Sequence, residues 1–189
     1  MPGPSWFEWG AMLASVTPVL LLTGPIGAGK SAVLHEADVL LIEASVSHAT
    51  VVLEEIARCW PIPPEDPVQR VTHMYRNLAA LWSNYAARGA ERLLLEMLVE
   101  DRSVLLRLAE AIPGAEITMV RLHAPLALIE ERIRRREPDD PEGELCGARW
   151  WAAHMQRWAA SDCLVVNNGD RSVREVAAEV LRAAGWLGG

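Results

Sequence analysis

Val19-Leu20-Leu21-Leu22-Thr23, followed by Gly24-Pro25-Ile26-Gly27-Ala28-Gly29-Lys30-Ser31-Ala32, is the stretch on which the reading of this chain turns. The first five residues are a near-continuous apolar run, the mark of a strand buried on both faces of a parallel sheet. The next eight match the spacing G-x-x-x-x-G-K-[ST] between a predicted strand and a predicted helix. Glycines at 24, 27 and 29 allow backbone angles that a side chain would forbid. Successive N–H groups then converge on an anion, and the helix expected from about Gly29 to Glu43 adds the positive end of its dipole. The segment Gly24 to Ala32 is therefore expected to cradle the phosphates of ATP. Lys30 would reach the β- and γ-phosphates, and the Ser31 hydroxyl would ligate Mg²⁺, which keeps several waters in such sites. Composition points the same way. Of 18 basic residues, 17 are Arg and one is Lys, and that lysine is Lys30. A chain that otherwise carries its positive charge on arginine keeps its lysine inside the phosphate motif.

Outward from this motif, strand and helix signals alternate, as in an α/β layered fold. Further strands are expected at Thr50–Leu53, Leu93–Leu98, Ile117–Leu122 and Leu164–Val166. Helices are expected at Val68–Ala87, Ser103–Ala111, Pro125–Glu137 with Pro125 at the first helical position, and Glu144–Ala160. A last helix opens on the capping box Ser172-x-x-Glu175 and ends near Gly185. Right-handed crossovers would put helices on both faces of one parallel sheet, with ligands beyond the carboxyl ends of its strands.

The 189 residues suit a single domain. Residues 1–17 read as an N-terminal leader or cover and 18–189 as the domain. A net charge of -7 argues against a nucleic-acid-binding surface. Residues 1–17 lack the basic start of a secretory signal, and no apolar run is long enough for a membrane span. Three dispersed cysteines, Cys59, Cys146 and Cys163, fit reduced thiols in a cytoplasmic protein. The five histidines lack H-E-x-x-H spacing, so no zinc site is expected, and no nucleophilic triad is visible. The many Trp and Leu residues leave room for a homodimer.

Some nucleotide-binding classes are excluded by what is missing. Reading guanine through N-K-x-D needs a second lysine; L-S-G-G-Q is absent, and no strand ends in Asp-Glu. The P-loop, the small size and the late basic segment Arg121–Glu137 resemble the small P-loop kinases. These include nucleoside monophosphate, adenylyl-sulfate, shikimate and gluconate kinases and chloramphenicol phosphotransferase. The resemblance implies a three-layer P-loop NTPase fold with a five-stranded parallel sheet in the order 2-3-1-4-5. It also implies a substrate-side insertion at about 54–89 and a lid at about 132–148. The activity it implies is Mg²⁺-dependent transfer of the ATP γ-phosphate to a small-molecule hydroxyl, with no membrane or nucleic-acid partner. Arg132, Arg135 and Arg136, at i, i+3 and i+4 on one helix, would be lid arginines that neutralise the transferring phosphoryl group. Asn167, Asn168 and Gly169, after the fifth strand, would lie against adenine, mainly through backbone atoms.

The chain departs from the family where the second strand ends. Many members carry Asp-x-Asp there; this chain has Val52-Leu53-Glu54. Glu54 or Glu55 remains available as base or metal partner. Glu96, an acid inside the apolar run Leu93–Met97, is a second metal candidate, because burying a lone carboxylate is costly. The departure keeps open a nucleotide-binding regulatory protein or weak ATPase without an acceptor. On the substrate side, Glu54, Arg58 and Trp60 are candidates: Arg58 for an anionic substrate, and Trp60 for ring stacking, although core or wall packing is the stronger expectation for it. Trp82 and Tyr85 are expected to face the same cavity.

Overall fold

The computed structural model describes residues 16–60, 67–158 and 163–188. The expected leader lies outside the described residues except for Val16 and Thr17, and the proline-rich turn at 61–66 lies outside them as well. In chain order the elements are β1 (Thr17–Thr23), α1 (Lys30–Glu43), β2 (Ala49–Val52), a 3₁₀ turn (Glu55–Ala57), α2 (Pro67–Ala87), β3 (Leu93–Glu96), α3 (Ser103–Ala111), β4 (Ala115–His123), α4 (Leu126–Arg136), α5 (Glu142–Trp158), β5 (Leu164–Asn167) and α6 (Val173–Ala183). All strand pairs are parallel, in the order β2-β3-β1-β4-β5. This is the expected P-loop NTPase-like sheet with helices on both faces.

Alternation along β1 divides the core. Val19 and Leu21 point to one face, with Leu93, Leu95 and Met119, and meet Met74, Leu78 and Trp82 of α2 and Val104 and Leu108 of α3. Leu20 and Leu22 point to the other face, with Leu94, Val120 and Leu122, and meet Val33 and Leu41 of α1 and Val176, Val180 and Leu181 of α6. A central parallel strand covered on both sides therefore needs an apolar residue at almost every position. β1 begins at Thr17, whose hydroxyl donates to the Pro113 carbonyl at 3.1 Å.

The capping box on α6 forms as expected. The Glu175 N–H donates to the Ser172 Oγ, and the Glu175 carboxylate accepts from the Ser172 N–H at 3.0 Å. Pro125 differs from expectation: it is the N-cap of α4, not its first helical residue. Its ψ of 138° is extended, while its carbonyl accepts from the Leu128 and Ile129 N–H groups. α4 and α5 form a hairpin with a small core of its own: Ala124, Ile129, Ile133, Leu145 and Ala148, packed against Ile26 of the glycine-rich loop. Among the described residues, no helix is long and apolar enough to cross a membrane.

Candidate functional site

The loop between β1 and α1 takes its shape from its glycines. Gly24 has φ +149°, and a Cβ there would lie 2.8 Å from the Leu122 carbonyl oxygen. Gly29, the N-cap of α1, has φ +89°, and a Cβ there would lie 2.5 Å from Asn168 Nδ2. Both positions combine left-handed backbone with close approach, so neither accepts a side chain. The Ala28 N–H donates to the Pro25 carbonyl at 3.1 Å, closing the turn. α1 then starts at Lys30, with its free N–H groups facing the loop.

Three strand ends converge beside this turn. In the sheet register Leu22 lies opposite Glu96, and Val52 lies opposite Glu96 on the other side. Pairing continues past the strands: Met97 N–H donates to the Leu22 carbonyl and Leu53 N–H to the Glu96 carbonyl. The Thr23 hydroxyl accepts from the Val99 N–H at 3.2 Å. Glu54, one residue on from Leu53, is held by the Leu98 N–H, which donates to its Oε1 at 2.7 Å.

Two of the expected metal ligands meet directly. The Ser31 Oγ donates to Glu96 Oε1 at 2.9 Å. Glu96 is only 5% exposed, and its Oε2 is buried without a partner. Burial pushes the Glu96 carboxyl above the usual carboxylate range; the Ser31 hydrogen bond and the charge of Lys30 oppose this, and Glu54 and Glu55 add to it. Burial also pulls the Lys30 ammonium below its ordinary value, against Glu96 and Glu54. The Lys30 Nζ donates to the Pro25 carbonyl at 3.4 Å, a long bond that leaves capacity for a stronger acceptor. A buried oxygen without a donor, a serine hydroxyl beside it and an adjacent ammonium fit a Mg²⁺–phosphate pair, since Mg²⁺ takes one or two carboxylates along with water and phosphate oxygens.

Arg132 and Asn168 close the other side. The Asn168 Nδ2 donates to the Ala28 carbonyl at 2.6 Å, and its own N–H donates to the His123 carbonyl at 2.7 Å. Arg132 Nη2 donates to the carbonyls of Asn168 and Gly169 at 3.1 and 3.4 Å, and its Nη1 is buried without a partner beside Gly29. The three expected lid arginines therefore diverge. Arg132 faces the loop. Arg136 pairs with Glu144 and Glu137 and lowers the Lys30 value from nearby. Arg135 pairs with Glu131 on the exposed side of the helix. Arg132 and Arg136, four residues apart, are about 40° apart around the helix, whereas Arg135 lies about 60° to the other side of Arg132.

Elsewhere the structure corrects the expectations. Trp60 is 86% exposed, so it packs in neither core nor wall. Arg58 is exposed and ion-paired with Glu55 at 2.8 Å. Trp82 and Tyr85 pack against the same core cluster, but of the two Tyr85 alone reaches the groove. Trp82 is buried in the core, whereas Tyr85 lines a groove with Asp38 and His48. The buried amide of Asn168 was missed, since sequence reasoning assigned that turn a backbone role. The Asn-Asn-Gly turn was the available signal, and the partner 140 residues away was not legible.

No protein-family model matches the chain, and no curated protein matches it. Among solved structures the chain is similar to a gluconokinase from Sinorhizobium meliloti 1021, with 19% identity, TM-score 0.57, and 90% of this chain and 92% of that one covered. It is also similar to the Deinococcus radiodurans tunicamycin resistance protein, with 19% identity, TM-score 0.62, and 90% and 97% covered. A third likeness is to the Mycobacterium tuberculosis APS kinase CysC in complex with AMPPNP and APS, with 21% identity, TM-score 0.51, and 88% and 96% covered. At these identities the likeness speaks for the fold, and it extends over nearly the whole of each chain.

Proposed function

We propose that the chain is an ATP- and Mg²⁺-dependent phosphotransferase that moves the γ-phosphate to a hydroxyl of a small molecule. The observation that carries this reading is the meeting of Lys30, Ser31 and Glu96 at one strand edge, with a buried Glu96 oxygen that lacks a partner. Mg²⁺, when bound, neutralises charge on the phosphate oxygens. The loop from Gly24 to Ala32 surrounds the phosphates and holds them through its N–H groups other than Ala28's, which bonds the Pro25 carbonyl, Pro25 itself having none; Lys30 contacts the β- and γ-oxygens. Ser31 and Glu96 are the ligands assigned to the ion. Glu54, oriented by the Leu98 N–H, is the carboxylate assigned to receive the acceptor's hydroxyl proton. Arg132 and Arg136 add positive charge on the lid side, and Asn168 and Gly169 border the base. Catalysis of this kind rests on positioning and charge neutralisation.

A second reading, a nucleotide-binding regulator or weak ATPase, is favoured by one feature. The position of the first acid in Asp-x-Asp is Val52, which leaves Glu54 as the carboxylate at that strand end. Titration calorimetry with Mg·ATP and Mg·GTP, on the wild type and Lys30→Ala, is the first test. Binding that is lost in Lys30→Ala supports the cradle, and phosphate transfer from γ-labelled ATP to an acceptor panel then separates the two readings. The panel includes tunicamycin, given the likeness to a tunicamycin resistance protein. Wild-type protein that binds neither nucleotide would refute both.

A further inference from the structure

We propose that the open cavity beginning at Ser31, between α1 and the edge strand β2, binds the phosphate acceptor and selects an uncharged, hydroxyl-bearing molecule over an acid. This rests on the phosphotransfer reading above. The cavity measures about 500 Å³, within the range of small-molecule sites. It runs along α1 from Ser31 to Asp38, seven residues or roughly 10 Å of helix, and is flanked by His48, Thr50, Val52 and Tyr85. One end therefore lies at the proposed site of phosphoryl transfer. The other ends at a side-chain network away from that chemistry.

That network centres on the Asp38 carboxylate. Asp38 Oδ1 accepts the Thr50 hydroxyl at 2.6 Å and faces His48 Nε2 at 3.0 Å. His48 Nδ1 lies 2.8 Å from the Val46 carbonyl. His48 thus bridges the Asp38 carboxylate and the Val46 carbonyl through its two ring nitrogens. The His48 side chain is nearly enclosed while Asp38 stays partly open to the cavity. The carboxylate is thereby held in place to receive hydroxyl protons from a ligand. Val52 and Tyr85 supply an apolar surface for the carbon face of a ring.

The charges argue against an acid. Among the described residues no Lys or Arg lines the cavity. Arg58, the cation expected to hold an anionic substrate, is not among the residues that line the cavity. Glu54 and Glu96 stand at the Ser31 end, where Lys30 is reserved for phosphates. An acceptor carrying its own carboxylate or phosphate would enter beside Asp38 with no lysine or arginine to meet it, the basic groups of the lining being the exposed His35 and the Asp38-bound His48.

The test is phosphate transfer from γ-labelled ATP by the full chain over matched pairs, each a neutral sugar or nucleoside beside its acid or phosphate ester. The expected result is turnover of neutral members, with kcat/KM at least about tenfold lower for their anionic partners. Asp38→Asn raises the KM for the neutral acceptor about tenfold with little change in kcat, the pattern of lost ground-state binding. Tyr85→Ala does the same by a separate contact, and the Kd for Mg·ATP reports that each variant is folded. Preference for the anionic members, transfer to no neutral member, or an unchanged KM in both variants overturns the acceptor assignment while Mg·ATP binding stands. Absence of Mg·ATP binding in the wild type removes the phosphotransferase reading itself.

Discussion

Replacing Asn168 tests whether its amide holds the phosphate loop in shape. The residue is 3% exposed, and its Nδ2 donates to the Ala28 carbonyl at 2.6 Å. Asn168→Ala removes the donor and leaves a buried carbonyl unpaired, at a cost of about 1–3 kcal/mol. In a chain of this length each kcal/mol lowers the melting temperature by roughly 2–4 °C, so a drop of about 2–12 °C is expected. Asn168→Asp keeps the shape but puts an acceptor against an acceptor. At pH 8 the introduced carboxylate faces the Ala28 oxygen and the loss is at least as large. At pH 4 the protonated carboxyl again donates, and much of the loss is recovered relative to the wild type. The released loop also has to be reordered when phosphates bind, and 1.4 kcal/mol of that work weakens Kd about tenfold. Calorimetric melting at the two pH values and Mg·ATP titration read both effects. Asn168→Asp melting within about 1 °C of the wild type at pH 8, with its Kd unchanged, would sink the argument.

Gly29→Ala places a Cβ 2.5 Å from Asn168 Nδ2 at φ +89°; a loss of about 1–3 kcal/mol in urea unfolding is expected, with weakened nucleotide binding. Glu96 holds its proton to higher pH in the folded chain than in the unfolded one, because burial raises it. Its contribution to stability is full below the ordinary glutamate range and is lost as pH rises through the folded value. The stability of the wild type minus that of Glu96→Gln, measured without Mg²⁺ or nucleotide, should therefore fall with rising pH; a flat or rising difference contradicts the burial argument. Ser172→Ala removes the α6 cap and should cost about 1 kcal/mol, while titration finds Mg·ATP affinity unaltered.

The parts of the fold legible in the sequence are those written in local patterns. β1 is apolar at almost every position because both of its faces are covered, and the glycine-rich loop follows from backbone geometry alone. The α6 cap needs only Ser172 and Glu175. Glu96 was legible as an anomaly, an acid in an apolar run, and the register opposite Leu22 explains why it reaches Ser31. What escaped depends on partners distant in sequence. The Asn168 amide meets Ala28 across 140 residues. Trp60 lies exposed, and Tyr85 packs beside the core that holds Trp82 while also lining the groove at Asp38. Charge spacing placed three arginines together on α4, but Arg135 lies on the exposed side of the helix, paired with Glu131.

Ile26 belongs to two structures at once. It sits in the glycine-rich loop, yet it completes the small core between α4 and α5, with its Cδ1 3.2 Å from where a Cβ on Gly147 would stand. The helical hairpin therefore cannot swing outward without either dragging the loop or stripping Ile26 of its apolar neighbours. In hydrogen exchange the amides of both segments should open together, as one cooperative unit. Occupancy of the loop would then be felt across the hairpin as slowed exchange, through Ile26 together with the close approach of Gly27 to Ile129 and Ile133.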